Sequence, residues 1–340
     1  MSSTLVVQTS FLGDTVLTTP LLAQLANRGP VDVVTTPAAA ALLANHPAVR
    51  TLIPYDKRGS DRGVIGLWRL SRRLRAMRYD VALLAQGSWR SAALALLAGI
   101  PSRIGFSTSA GRLLYTKRVA YRDDLHHAAR LLMLARPNGR EPTPTELRPS
   151  LAPGAAEREA VDAFLREQGV RGDEPLVALA PGSVWATKRW PYYPELAQEL
   201  ARSARVIVVG SAADTPLAQA IVAAAPEARD ATGRLSLLAS AELVGRSRVL
   251  VTNDSAPLHL ASAMGTPTVA IFGPTVPDFG FGPLAPRASV VGHDVLPCRP
   301  CDRHGPQRCP LGHHRCMREL TPSAVAERAR ALLLNRDVLA

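Results

Sequence analysis

Aromatic residues are scarce in this chain, at 5% of 340 positions, and its four cysteines are confined to 298–316. With so few rings and no RNA- or DNA-binding motif, a nucleic-acid-binding role is not expected. Four cysteines in one short stretch do not form a disulfide framework for a chain of this size. No apolar run reaches membrane-spanning length, because charges or prolines interrupt every candidate. No basic leader or small-residue cleavage site precedes the first strand, so the expectation is a cytoplasmic protein without a signal peptide. No GxGxxG follows a first strand, which weakens a nicotinamide-dinucleotide reading, and the lack of GxxxxGK[ST] argues against a P-loop NTPase.

What is present is an ordinary hydrophobic share of 47% and a net charge of +12. The length suits two domains, each with its own core. The charge is uneven: residues 1–150 hold 20 Lys/Arg against 9 Asp/Glu, and residues 151–340 hold 20 against 19. A basic half suggests a polyanionic partner, such as an acidic substrate or an anionic membrane surface, although a merely solvated basic surface is the plainer reading. Residues 57–78 concentrate the effect, with Lys57, Arg58, Arg62, Arg69, Arg72, Arg73, Arg75 and Arg78 against the single acid Asp61. From about residue 64 the segment has an apolar side, so it reads as an amphipathic helix with a cationic face. Such a face can rest on lipid headgroups or stay in water.

Strand–helix alternation runs through both halves, and the proline-rich stretch 136–154 between them reads as a linker. The expected domains are 1–150 and 151–320, with a terminal helix in 321–340 packing back toward the first domain. Two doubly wound α/β halves imply a cleft, one half holding a nucleotide and the basic half facing something acidic. In the first half, the strand Thr4–Val7 leads through QTSFLGD into a helix. Gly13 permits a tight turn, and Asp14 stands at the helix N-cap. Asp14 is either that cap alone or a carboxylate held at the mouth of the cleft.

Residues 249–274 form the most structured stretch. An apolar strand is followed by Thr252, Asn253, Asp254 and Ser255, then by Pro257 in the first turn of a helix, a stop at Gly265 and a second strand. This unit presents backbone N–H groups and a helix dipole at the carboxyl edge of a sheet, where phosphates bind; an ordinary capped crossover reads equally well. After Pro274 the chain reads as irregular. Cys298, Cys301, Cys309 and Cys316 include one CxxC pair, but the remaining spacing is not that of a standard zinc site, so both idle thiols and a metal or redox role stay open.

Taken together, QTSFLGDTVLTTPLL, PGSVWATKRWPYYPELA, VVGSAAD and TNDSAPLHLASAMGTPTVAIFGP resemble, nearly end to end, the ADP-heptose:lipopolysaccharide heptosyltransferases of glycosyltransferase family 9. The tail CRPC…CPLGHHRCM is similar to one found in many members. AGIPSRIGF and VPDF lean towards members that add the second heptose. The resemblance implies a GT-B fold of two Rossmann-like domains facing a cleft. It implies an inverting transfer of L-glycero-D-manno-heptose from ADP-heptose to a heptosyl-Kdo-lipid A acceptor, with no metal and no cofactor, at the cytoplasmic face of the inner membrane. Asp14 would be the general base and Lys188 the cation that neutralises the departing ADP. On the donor side, Thr187 would meet the phosphates, Asp214 the ribose hydroxyls, Leu235 and Leu237 the adenine, and Asp254 the heptose hydroxyls. Ser255, Ala256 and Pro257 would face the diphosphate, with His259 nearby. Ser10 and Gly13 of the SxxGD motif, with Lys57, Arg58 and Arg62, would lie on the acceptor side. The family usually has glycine where this chain has Ala256; alanine still supplies the N–H unless φ must be positive.

Overall fold

The computed structural model describes residues 3–136, 139–172 and 174–334. The chain divides into two compact units, Met1–Ala152 and Pro153–Ala340. The first runs β1 (Thr4–Gln8), α1 (Leu12–Ala26), β2 (Val31–Thr35), α2 (Pro37–Leu42), β3 (Thr51–Pro54), α3 (Gly63–Ala76), β4 (Val81–Leu84), α4 (Trp89–Leu97), β5 (Ser102–Phe106), β6 (Lys117–Val119) and α5 (His127–Met133). The second runs α6 (Ala155–Glu167), β7 (Leu176–Ala180), α7 (Tyr193–Leu200), β8 (Arg205–Val208), α8 (Thr215–Ala224), β9 (Arg229–Asp230), α9 (Leu237–Arg246), β10 (Val249–Asn253), α10 (Ala256–Met264), β11 (Thr268–Phe272), β12 (Ala288–Gly292), α11 (Arg315–Arg318) and α12 (Pro322–Leu334).

Each unit is built on one six-stranded sheet. The orders are β3-β2-β1-β4-β5-β6 and β12-β11-β10-β7-β8-β9. Every strand pairing is parallel. Counted from its own first strand, the second unit repeats the order of the first. In both, the direction of winding reverses between the first and fourth strands, β1 and β4 or β7 and β10, which is where such folds bind ligands.

The central strands explain themselves. LVV, LVALA and VLV are continuous apolar runs, as a strand covered on both faces requires. In β7, Val177 and Leu179 enter one core cluster, while Leu176, Ala178 and Ala180 enter another on the opposite face. Each such Val or Leu contributes about 1.5–3 kcal/mol by leaving water. Away from the switch point, Asp32 of β2 is fully buried and accepts from Arg50 Nη2 at 2.6 Å and from the Tyr79 hydroxyl at 2.6 Å. Burial raises its pKa, but the bonds to Arg50 and Tyr79 outweigh this and hold the carboxyl below its usual range.

Several details differ from the reading of the sequence. The short edge strands β6, β9 and β12 are too brief to show a period, the helix α6 was not assigned from the sequence although Val161, Phe164 and Leu165 fall at helical spacing, and residues beyond Pro274 recover a strand in β12. The segment 139–154 is irregular apart from one turn, Pro144–Leu147, capped by Glu146. The terminal helix, expected to pack toward the first domain, places Val325, Ala326 and Ala329 in the core of its own unit, against α7 and the strands β10 to β12. Residues 137–138 of the expected linker and 335–340 of the expected terminal segment lie outside the described residues.

Candidate active site

In the first unit, the loops leaving β1 and β4 meet at the switch point. Helix α1 begins at Leu12 with Phe11 as its N-cap. Asp14 is therefore the third helical residue rather than the cap, and Gly13 is buried within the helix rather than forming a turn. The first turn is closed by the backbone, the Thr15 N–H donating to the Phe11 carbonyl at 3.1 Å, and the Thr15 and Thr18 hydroxyls add bonds to the Phe11 and Asp14 carbonyls at 3.3 and 2.7 Å. An acid in that first turn also suits the helix dipole.

The Asp14 carboxylate is held from two sides. Ser10 Oγ donates to Oδ2 at 2.5 Å, and His127 Nε2 of α5 lies 3.7 Å from Oδ1. It opens on a cavity of about 330 Å³ lined by Gln8, Ser10, Gln86, Tyr121 and His127, among others. Lys57 is tied to the same loop, donating to the Thr9 carbonyl at 2.7 Å. Burial lowers its pKa, with Arg58 and Arg90 adding repulsion. Arg58 and Arg62 are exposed on the segment leading into α3.

The second unit places different chemistry at the equivalent position. Strand β10 extends to Asn253, so Thr252 and Asn253 belong to the strand, and Ser255 is the N-cap of α10. Asn253 ties the switch point together: its Nδ2 donates to the Pro181 carbonyl at 2.9 Å and its Oδ1 accepts from the Trp190 N–H at 3.2 Å. The Lys188 loop is thereby fixed against the end of β10. Lys188 Nζ lies 2.6 Å from Asp254 Oδ2, and Thr275 Oγ1 donates to the same oxygen at 2.7 Å. Both charged side chains are about nine-tenths buried.

The start of α10 is open to an anion by geometry. Pro257 takes an early helical position where its missing N–H costs nothing. Ala256 has ordinary helical backbone: among the described non-glycine residues only Arg78 and His314 have positive φ. The condition under which an alanine would be strained is therefore absent. His259 is buried one turn further on, its ring 6.3 Å from that of Phe281.

Asp214 approaches from the loop after β8. Its Oδ2 accepts from the Ser211 N–H at 2.9 Å and hydroxyl at 2.8 Å. A Cβ on Gly182 would stand 2.3 Å from Asp214 Oδ1, so the glycine of the PG pair makes room for this carboxylate. Leu237 opens α9, and Leu235 packs at the edge of a core cluster. The structure thus brings Lys188, Asp254, Ser255, Ala256 and Pro257 together, with Asp214 beside Gly182.

The sequence reading missed the supports. Thr275 and His127 lie in no motif singled out from the sequence, and Asn253 was read as a short polar residue after the strand rather than as the tie to the Lys188 loop. Nor did it foresee that the cysteine-bearing tail braces the Lys188 loop. Thr187 Oγ1 donates to the Pro306 carbonyl, so this hydroxyl is engaged with the tail. His314 Nε2 lies 2.8 Å from the Thr187 carbonyl. Gln307 bonds the Ala186 N–H at 3.2 Å and the Val184 carbonyl at 3.1 Å. All four cysteines are free thiols, and among the described residues no group of three or more metal-ligating side chains converges. Burial in the core pushes the Cys316 thiol up to about 11, with the other cysteines adding to it.

Comparison with known proteins bears on the family and the fold. A model of glycosyltransferase family 9 (heptosyltransferase) matches residues 67–309. The chain is 30% identical over 353 residues to lipopolysaccharide heptosyltransferase 2 of Escherichia coli (strain K12), covering 98% of this chain and 99% of that one. It is 29% identical over 365 residues to lipopolysaccharide heptosyltransferase 1 of Pseudomonas aeruginosa, with 98% and 99% coverage. The solved structure of E. coli ADP-heptose lipopolysaccharide heptosyltransferase II aligns at a TM-score of 0.81 and 28% identity, covering 99% of this chain and all of that one.

Proposed function

Because this chain belongs to glycosyltransferase family 9, with the two parallel sheets of the GT-B fold, we propose that it transfers L-glycero-D-manno-heptose from ADP-heptose to the heptosyl-Kdo-lipid A inner core of lipopolysaccharide. The observation that carries the reading is the buried Lys188–Asp254 pair beside the N-terminus of α10. In this proposal the second unit holds the donor. The diphosphate meets the first N–H groups of α10, where the helix dipole favours negative charge. Lys188 moves from Asp254 to the β-phosphate as charge develops on the leaving ADP, and Asp254 is freed to accept from heptose hydroxyls. Asp214 binds the ribose hydroxyls, and Leu235 and Leu237 flank the adenine.

The first unit supplies the acceptor side. Asp14 takes the proton of the acceptor hydroxyl as that oxygen attacks the anomeric carbon, which inverts its configuration and expels ADP. The Ser10 hydroxyl and His127 hold the carboxylate toward the cavity. Ser10, Gly13, Lys57, Arg58 and Arg62 face an acceptor whose Kdo carboxylates and lipid A phosphates are acidic. The leaving group needs no metal ion because Lys188 and the helix terminus meet its charge. The place of work is the cytoplasmic face of the inner membrane, with no nucleic acid involved. No helix among the described residues is long and apolar enough to cross a membrane.

A second reading keeps the chemistry and changes the acceptor. Identity to a heptosyltransferase 1 nearly equals that to a heptosyltransferase 2, so addition of the first heptose, or of a third, or use of another nucleotide sugar, is the alternative. A turnover assay separates the two readings. ADP-heptose, and separately a UDP-sugar, is offered with Kdo-lipid A and with its mono-heptosylated form, in the presence of a chelator. Turnover confined to the mono-heptosylated acceptor is the expected result. Turnover only on the non-heptosylated acceptor moves the assignment to the first heptose. Turnover only with another nucleotide sugar overturns the donor.

A further inference from the structure

The first unit carries an apolar, arginine-bearing surface that its cavity does not use. On α3, Gly66, Leu67, Leu70, Ser71 and Leu74 face the core. The opposite face exposes Val64 at 78%, Ile65 at 74% and Trp68 at 53%. On α4, Trp89 is 59% exposed, and Leu96 and Leu97 follow at helical spacing, 42% and 43% exposed. The two helices pack side by side, and Arg75 Nη2 of α3 donates to the Leu97 carbonyl at 2.9 Å. Their exposed faces therefore adjoin. Single exposed apolar residues are ordinary, but two tryptophans and four aliphatic side chains exposed on two adjoining helices are more than scatter and call for an occupant.

We propose that this α3–α4 face docks the protein on an anionic lipid bilayer, with Trp68 and Trp89 seated at the headgroup level. Charge complementarity selects this occupant. Helix α3 carries Arg69, Arg72, Arg73 and Arg75 and no acidic residue. The Arg72 guanidinium lies over the Trp68 ring at 5.0 Å. An apolar protein partner would leave these cations unmatched, whereas anionic headgroups above an acyl boundary match both halves of the pattern. The indole rings, with an apolar body and one N–H, suit that boundary. The arginines add long-range attraction to negative lipid and keep their heads in the headgroup layer. Both tryptophans lie in the N-terminal parts of their helices, at the carboxyl edge of the sheet. That is the edge on which the Asp14 cavity opens, so docking would turn the cavity's edge toward the bilayer. The inference deepens the proposed function and rests on it for a lipid-anchored acceptor.

Co-sedimentation of the full chain with vesicles tests it. Vesicles of phosphatidylethanolamine and phosphatidylglycerol at about three to one are compared with pure phosphatidylcholine. The wild type is expected to partition onto the anionic vesicles, less at high salt. Trp68→Ser with Trp89→Ser is expected to lower partition about tenfold or more. Arg69→Gln with Arg72→Gln is expected to lower it by a similar factor. Turnover on a deacylated, water-soluble acceptor should stay unchanged in both variants. If the serine variant unfolds, quenching of wild-type fluorescence by brominated lipid replaces it, with smaller quenching expected in Trp68→Phe and Trp89→Phe. Equal partition of wild type and variants, or no quenching, overturns the docking surface. So does a change of oligomeric state in the serine variant with vesicle binding unchanged, which would make the patch a contact between copies. Vesicle binding without heptosyl transfer to any acceptor would leave the docking standing and sink the proposed function instead.

Discussion

The two units share one strand order and one switch point, yet they hold opposite electrostatic arrangements there. At the first, Asp14 faces an open cavity and is held by neutral or titratable neighbours, Ser10 and His127. At the second, Asp254 is buried and bonded to Lys188 and Thr275. The same topology thus presents one carboxylate open to a cavity and another already paired with a cation. Fold supplies the location, and the residues after the strands decide the chemistry. The charge follows the same division, with the excess almost wholly in residues 1–150.

The largest expected effects would break this comparison at its two poles. Asp14→Asn keeps the size of the side chain and removes the proposed base. Turnover is expected to fall about 10³-fold with donor affinity retained, measured by kcat and by ADP-heptose titration. Lys188→Ala is expected to lower kcat about 10²-fold and weaken donor binding as well. Were both substitutions to affect only donor affinity, the division of labour between the units would be wrong.

A smaller effect sharpens the comparison through stability. Lys188→Met removes the cation and leaves Asp254 buried with Thr275 as its remaining partner in that group. The cost is expected to be about 3 kcal/mol, because a buried charge loses its counter-ion. Asp14→Asn, at a more open carboxylate whose bond from Ser10 an amide oxygen can still accept, should change stability by less than about 1 kcal/mol. Urea unfolding of both variants reads the difference. Equal losses would mean that the Asp254 pair is no more desolvated than Asp14.

The central strands and the polar residues after them were legible in the sequence because each is a local signal. LVALA and VLVTN are apolar runs with abrupt polar ends, and Asp14, Lys188 and Asp254 sit in short motifs. The supports were not legible because they depend on contacts between distant segments. Thr275 reaches Asp254 across 21 residues, and Pro306 reaches Thr187 across 119. The edge strands β6 and β9 span only three and two residues, too short for a period to show. Helix α1 was misplaced by part of a turn because its N-cap is Phe11, which makes no side-chain cap bond, so a capping pattern points to Asp14 instead.

The smallest expected effect concerns Ala256, at the second switch point. A glycine there would suit a backbone with positive φ, but Ala256 opens α10 in ordinary helical conformation. Under the proposed function this position has to aim a backbone N–H at the diphosphate, and alanine would meet that need as well as glycine does. Ala256→Gly should leave the donor KM within about twofold, since the N–H and the dipole are retained. It should cost about 0.5–1 kcal/mol of stability, because glycine loses more backbone freedom on entering a helix. A large gain in donor affinity on substitution would show instead that the methyl group crowds the diphosphate. The phosphate site would then be set by side-chain clearance at α10 rather than by the helix terminus, and the contrast between a closed second switch point and an open first one would narrow.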